Sequence, residues 1–181
     1  MLCCIAIVVY LIGPSSVGKS TAATHLEDVG EATQLDLDAW IQNSGAGSYD
    51  WPPIASLFAE AEPMKAPLPL IVDIGAGSQD MERRSGDSGL RCWLNERASR
   101  VILIDADPIE ICGRNPHHGG KQESFNALEY APERLALYAV AGTKLVITGM
   151  SKEAAVTAVT DAFREVVRTQ TTIERSEQDE T

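Results

Sequence analysis

Gly13-Pro14-Ser15-Ser16-Val17-Gly18-Lys19-Ser20 sets two glycines, a lysine and a hydroxyl at the spacing G-x-x-x-x-G-K-[ST]. Glycines let a backbone wrap closely around phosphate oxygens with its N–H groups turned inward. A helix beginning near Gly18 adds the positive end of its dipole. In such a phosphate-binding loop, or P-loop, Lys19 reaches the β- and γ-phosphates and the Ser20 hydroxyl ligates Mg²⁺. The spacing therefore predicts a nucleotide with Mg²⁺, held by Gly13, Ser15, Ser16, Val17, Gly18, Lys19, Ser20 and Thr21. The competing reading is an ordinary glycine turn. The buried strand before the motif and the helix after it favour the phosphate loop.

Asp36-Leu37-Asp38 follows a short apolar segment. Residues two apart in an extended segment point the same way. Two carboxylates would then share one side at the carboxyl end of a strand, where open α/β sheets bind ligands. Asp36 would hold the Mg²⁺ shell, and Asp38 would accept or orient a hydroxyl for in-line attack. An exposed acidic turn capping Leu37–Gln42 is the alternative. Asp73 closes another apolar run and reads equally as a polariser of the Mg²⁺ shell or as a hydrogen-bonded structural group.

The elements that must position these residues follow from apolar runs and breakers. Leu2–Ile12, Thr33–Asp36, Leu70–Ile74, Val101–Ile104 and Lys144–Thr148 read as strands. Gly18–Val29, Asp50–Glu62, Gly89–Ala98 and Ser124–Ala141 read as helices, the last interrupted by Pro132. Leu37–Gln42 reads as a helical turn, and another helix begins over Pro108–Gly113. Ser78–Ser88 is polar and fits no element. Ser151 caps a last helix to about Arg168, whose inward set is Ala155, Val156, Val159, Phe163, Val166 and Val167. Strands alternating with helices predict an α/β three-layer sandwich: a central parallel sheet of about five strands between helices. Residues 1–170 form one domain, and 171–181 is an acidic tail whose composition predicts disorder.

Composition bounds the partners. Across 181 residues, 15 Lys and Arg face 26 Asp and Glu, a net charge of −11. Duplex nucleic acid and anionic membranes need clustered cations, so both are excluded as partners. The four cysteines show no C-x-x-C spacing and fit free thiols in a reducing cytoplasm. The Leu2–Ile12 run has no positive flank and is too short to span a bilayer. The expected chain is a cytoplasmic monomer or weak homodimer.

With these motifs in order, the chain resembles the shikimate kinase family of small P-loop kinases, over nearly its whole length. The resemblance implies that Asp36 binds Mg²⁺ and that Asp38 binds the substrate hydroxyl and acts as base. Gly75-Ala76-Gly77 is similar to the family's glycine-rich strand end lining the acceptor site. Glu133-Arg134-Leu135-Ala136-Leu137-Tyr138 looks like the family's R-x-x-L-Y segment, which makes Arg134 an acceptor-anion contact. Arg114 stands where the family has an arginine near the adenine. Lys121, at the end of the Gly113–Lys121 loop with His117 and His118, takes the part of the lid cation. Two family arginines have no counterpart: the lid motif is missing, and no Lys or Arg lies between Tyr49 and Glu62. Arg83 and Arg84 are either replacements or a solvated helix start, and Trp51 lines either a core or an acceptor pocket.

The implied activity is ATP·Mg²⁺-dependent phosphoryl transfer to a hydroxyl of a small metabolite, with shikimate itself not required. Lys19, Asp38 and Lys121 are its catalytic residues. The alternative is a nucleotide-binding regulatory or accessory protein that has lost the missing arginines and the chemistry with them.

Overall fold

Five parallel strands form one sheet in the order β2-β3-β1-β4-β5 in the computed structural model, which describes residues 7–43, 51–61, 67–114 and 121–179. The strands are β1 (Val8–Ile12), β2 (Thr33–Asp36), β3 (Leu70–Asp73), β4 (Val101–Asp105) and β5 (Thr143–Val146). The helices are α1 (Lys19–Asp28), α2 (Leu37–Asn43), α3 (Trp51–Ala61), α4 (Ala76–Gln79), α5 (Met81–Ser85), α6 (Gly89–Glu96), α7 (Pro108–Arg114), α8 (Gln122–Glu129), α9 (Pro132–Tyr138) and α10 (Lys152–Asp179). The expected P-loop sandwich is present.

Alternation along β1 makes the three layers. Val9 and Leu11 point to one face, into a core with Ala22 and Leu26 of α1 and Val159, Phe163 and Val166 of α10. Val8, Tyr10 and Ile12 point to the other, into a core with Leu37, Ile54, Phe58, Leu94 and Leu137. β1 is buried on both sides, which is why its sequence is apolar throughout rather than alternating. On the second face Tyr10, Phe58, Trp51 and Trp93 pack edge to face or tilted, with centroids 5.4–6.2 Å apart. The Trp93 indole N–H donates to the Tyr10 hydroxyl at 3.0 Å. Trp51 is therefore part of this aromatic core.

Three expectations change. The polar Ser78–Ser88 stretch is helical, in α4 and α5. Ser78, Gln79 and Asp80 are buried there through hydrogen bonds to other segments, so no apolar period marks it. The Ser124–Ala141 helix divides at Pro132, which starts α9 at its first turn. The tail does not leave the fold at residue 170. α10 continues to Asp179, with Thr171 and Thr172 hydroxyls donating to the carbonyls four residues back. Leu2–Ala6 of the first expected strand lie outside the described residues.

Candidate active site

β1 ends in the P-loop, and the loop is braced from outside. Gly13 has φ +141°, and a Cβ there would sit 2.1 Å from the Ile104 carbonyl oxygen, so only glycine fits. The Gln79 amide donates to the Gly13 carbonyl at 3.0 Å and to the Ile74 carbonyl at 2.6 Å, tying the loop to the end of β3. Glu129 holds the next turn. Its carboxylate accepts the Ser15 N–H at 2.9 Å and the Ser15 hydroxyl at 2.6 Å. Ser16 follows at φ +62°, a left-handed conformation that a non-glycine residue adopts only when its surroundings hold it there.

Lys19 is 6% exposed, and its ammonium donates to the loop's own Gly13 and Pro14 carbonyls at 2.9 and 3.0 Å. Burial pushes its pKa below the ordinary lysine value, and the nearby Asp73 and Glu129 carboxylates oppose that shift.

The Ser20 hydroxyl donates to Asp73 Oδ2 at 2.5 Å. Burial raises the Asp73 pKa, while Lys19 and the Ser20 hydroxyl lower it. Asp73 Oδ1 is buried and has no hydrogen-bond partner among the described residues. Asp36 pairs with Asp73 in the β2–β3 register, so the two carboxylates end adjacent strands side by side. A hydroxyl and two carboxylates, one with an orphaned buried oxygen, are hard oxygen donors of the kind Mg²⁺ takes. Asp36 also accepts the Ala39 N–H at 2.9 Å and thereby starts α2, as the capping reading of this residue expects.

Asp38 does not share a strand face with Asp36, because the chain turns helical at Leu37. Its carboxylate instead reaches the turn after β3. Oδ2 accepts the Gly77 N–H at 2.9 Å, and Oδ1 accepts the Ser78 N–H at 3.0 Å and the Ser78 hydroxyl at 2.6 Å. Gly75 is glycine for this reason: a Cβ would lie 2.3 Å from Asp38 Oδ2. Asp38, Gly75, Ala76 and Gly77 are thus brought together at the carboxyl ends of β2 and β3.

Arg134 lies behind this turn and not in an open pocket, being 1% exposed. Its guanidinium donates to Asp80 Oδ1 at 2.9 Å, to Glu129 Oε2, and to the Ala76 carbonyl at 3.0 Å. The expected acceptor-anion contact is corrected on this point: Arg134 is neutralised from within. Arg83 and Arg84 also pair with Asp80, and the solvated helix-start reading describes them better, since both are exposed on α5.

Beyond the other side of the P-loop, between it and α10, lies a cavity of about 410 Å³. Ser16, Val17 and Gly18 line it with Ile104, Ile147, Met150, Val159 and Arg114. Thr21, Ser151 and Lys152 add polar groups, and the size and mixed lining suit a nucleobase. Arg114 ends α7 there and pairs with Glu110. Lys121 is exposed just before α8, and the rest of the expected lid, including His117 and His118, lies outside the described residues.

Sequence reasoning missed Gln79, Asp80 and Glu129. Glu129 meets Ser15 across 114 residues of chain, and no local pattern announces such a contact.

No family model matches the chain. Shikimate kinase 2 from Enterobacter sp. (strain 638) is 24% identical over 167 residues, covering 86% of this chain and 95% of that protein. The chain is shikimate kinase-like. A shikimate kinase from Acinetobacter baumannii, solved in complex with shikimate, superposes with a TM-score of 0.58 at 17% identity, covering 91% of this chain and 94% of that one. A gluconokinase from Sinorhizobium meliloti 1021 gives a TM-score of 0.48 at 14% identity, covering 94% and 97%. The shikimate kinase superposition bears out the P-loop sandwich, and the sequence match bears out the resemblance to shikimate kinases.

Proposed function

We propose that the protein is an ATP- and Mg²⁺-dependent phosphotransferase that moves the γ-phosphoryl group to a hydroxyl of a small metabolite. One observation carries this reading. The base-sized cavity, the P-loop with Lys19, the Ser20–Asp73 pair with Asp36, and Asp38 lie in sequence across the carboxyl ends of the sheet. That is the order in-line phosphoryl transfer needs.

Each group then has a part. The cavity beside Arg114 takes the base, and the backbone N–H groups of Ser16 to Thr21 take the phosphates. Ser20, Asp73 and Asp36 would hold Mg²⁺, which when bound neutralises charge on the phosphate oxygens. Lys19 exchanges two neutral carbonyl acceptors for anionic phosphate oxygens, a stronger pairing. Asp38 keeps a lone pair on Oδ2 with which to orient the acceptor hydroxyl. Lys121 supplies a second cation from the lid side. Catalysis is positioning and charge stabilisation rather than covalent chemistry. The protein would work in the cytoplasm as a monomer or weak homodimer. Among the described residues no helix is long and apolar enough to cross a membrane.

The test is ATP·Mg²⁺ binding by calorimetry, then ADP release with a panel of small alcohols and hydroxy acids. Wild type should bind and turn over, and Lys19→Met should lose turnover by at least 100-fold while remaining folded by thermal melt. Full turnover in Lys19→Met would refute the reading. A second reading, a nucleotide-binding regulatory protein, is favoured by the internal commitment of Arg134. Tight ATP·Mg²⁺ binding with no transfer to any acceptor would select it.

A further inference from the structure

We propose that the acceptor is an uncharged polyhydroxylated molecule, and that Glu129 and Asp80 enforce this by occupying Arg134. The inference rests on the kinase reading and goes further, to the class of substrate.

Transfer in line requires the acceptor to approach from the side opposite the base. The base cavity lies toward β4 and α10, so the acceptor comes over the ends of β3 and β2, beside Asp38 and the Gly75–Gly77 turn. A carboxylate-bearing acceptor would need a cation on that side. The described cations there are Arg83, Arg84 and Arg134. All three pair with Asp80, and Arg134 pairs with Glu129 as well. Neither α2 nor α3 contains a Lys or Arg.

The Asp80–Arg134–Glu129 cluster is almost wholly buried, with side chains 1–2% exposed; Arg83 and Arg84 reach Asp80 from the surface, and Arg134 is the base that pairs with Glu129. Pulling Arg134 toward an outside anion would leave a buried carboxylate uncompensated, which is strongly unfavourable. Glu129 is also engaged by Ser15, so it cannot step aside without loosening the P-loop. An arriving carboxylate would further meet Asp36 and Asp38, with no free counter-charge beside them among the described residues. A neutral polyol meets only hydrogen-bonding groups. Specificity here comes from repulsion of the wrong substrate as well as attraction of the right one.

The experiment uses paired acceptors, one bearing a carboxylate and one neutral: shikimate against its methyl ester, and gluconate against sorbitol. With the full chain and saturating ATP·Mg²⁺, kcat/KM for at least one neutral member should exceed that of its carboxylate partner tenfold or more. Equal or better transfer to the carboxylates overturns the inference and leaves the kinase reading standing. Transfer to none of the four, with ATP·Mg²⁺ bound, overturns both. The assignment to named residues has its own readout. In Glu129→Gln, and independently in Asp80→Asn, the carboxylate-to-neutral ratio of kcat/KM should rise at least tenfold as Arg134 regains an unpaired donor. A purely structural role would lower both members together, and an unchanged ratio in both variants would remove these residues from the proposal.

Discussion

Replacing Gly75 by alanine tests how the acceptor side is built. Gly75 has ordinary backbone angles, φ −69° and ψ 172°, so alanine meets no backbone strain there. The obstacle is space: the new methyl would lie 2.3 Å from Asp38 Oδ2, 2.4 Å from Cγ and 3.0 Å from Cβ. Overpacking of this kind costs about 1–3 kcal/mol. If the carboxylate swings away, the Gly77 and Ser78 N–H groups lose their charged acceptor. Each such bond contributes about 1.5–3 kcal/mol, and water recovers part of it at this half-buried site. The expected loss is about 3 kcal/mol, which for a chain of this size lowers Tm by roughly 6–12 °C. Urea denaturation of wild type, Gly75→Ala, Asp38→Ala and the double variant measures it directly. The two changes should be coupled by at least ~1 kcal/mol, because the clash is mainly with the carboxylate that Asp38→Ala removes. Coupling below ~0.5 kcal/mol, or a Gly75→Ala variant as stable as wild type, would refute the reasoning.

Arg134→Met would leave the buried Glu129 carboxylate without its guanidinium partner, Asp80 keeping Arg83 and Arg84, and should destabilise by about 3–5 kcal/mol. Urea titrations of the variant and wild type at pH 7 would show it. Asp73→Asn should be at least as stable as wild type at pH 7. Burial holds the wild-type carboxyl above its ordinary 3.8, so the folded state binds that proton more tightly than the unfolded chain. The associated stability is present below pH 3.8 and is lost as pH rises through the folded value. The variant's relative gain should therefore grow from pH 4 to 7, while Mg²⁺-dependent ATP affinity falls. Gly13→Ala should cost at least about 3 kcal/mol and abolish nucleotide binding, since a methyl 2.1 Å from the Ile104 carbonyl oxygen cannot be accommodated by moving a side chain. Near-native ATP affinity in that variant would contradict the loop geometry.

The strands and the P-loop were legible because their signals are local. Thr33–Asp36 is the strand its residues predict, and the core set of the last helix, Val159, Phe163 and Val166, is as its spacing demands. What stayed hidden was pairing across the chain. Arg134 carries the same residue type whether it faces a substrate or a buried Glu129, and only the fold distinguishes them. The i, i+2 argument for Asp36 and Asp38 failed because it assumed the strand continued, whereas Asp36 itself caps the helix that ends it. Ser78–Ser88 offered no periodicity because its buried face is polar: Ser78, Gln79 and Asp80 are buried for their hydrogen bonds. The acidic tail was read from composition alone. Composition does not see that α10 is already nucleated against the sheet, so each added residue only propagates an existing helix.

The aromatic group under α3 has an optical consequence. The Trp51 and Trp93 rings lie 5.8 Å apart at an interplanar angle of 59°, and the Arg97 guanidinium sits 3.5 Å from the Trp93 centroid. Two indoles this close and this skewed couple as a chiral exciton pair and give a far-ultraviolet circular dichroism couplet that neither has alone. Trp51 rides on α3 and Trp93 on α6. The chain thus carries an intrinsic chromophore pair whose signal follows any shift of α3 relative to α6, without a label or a substrate analogue.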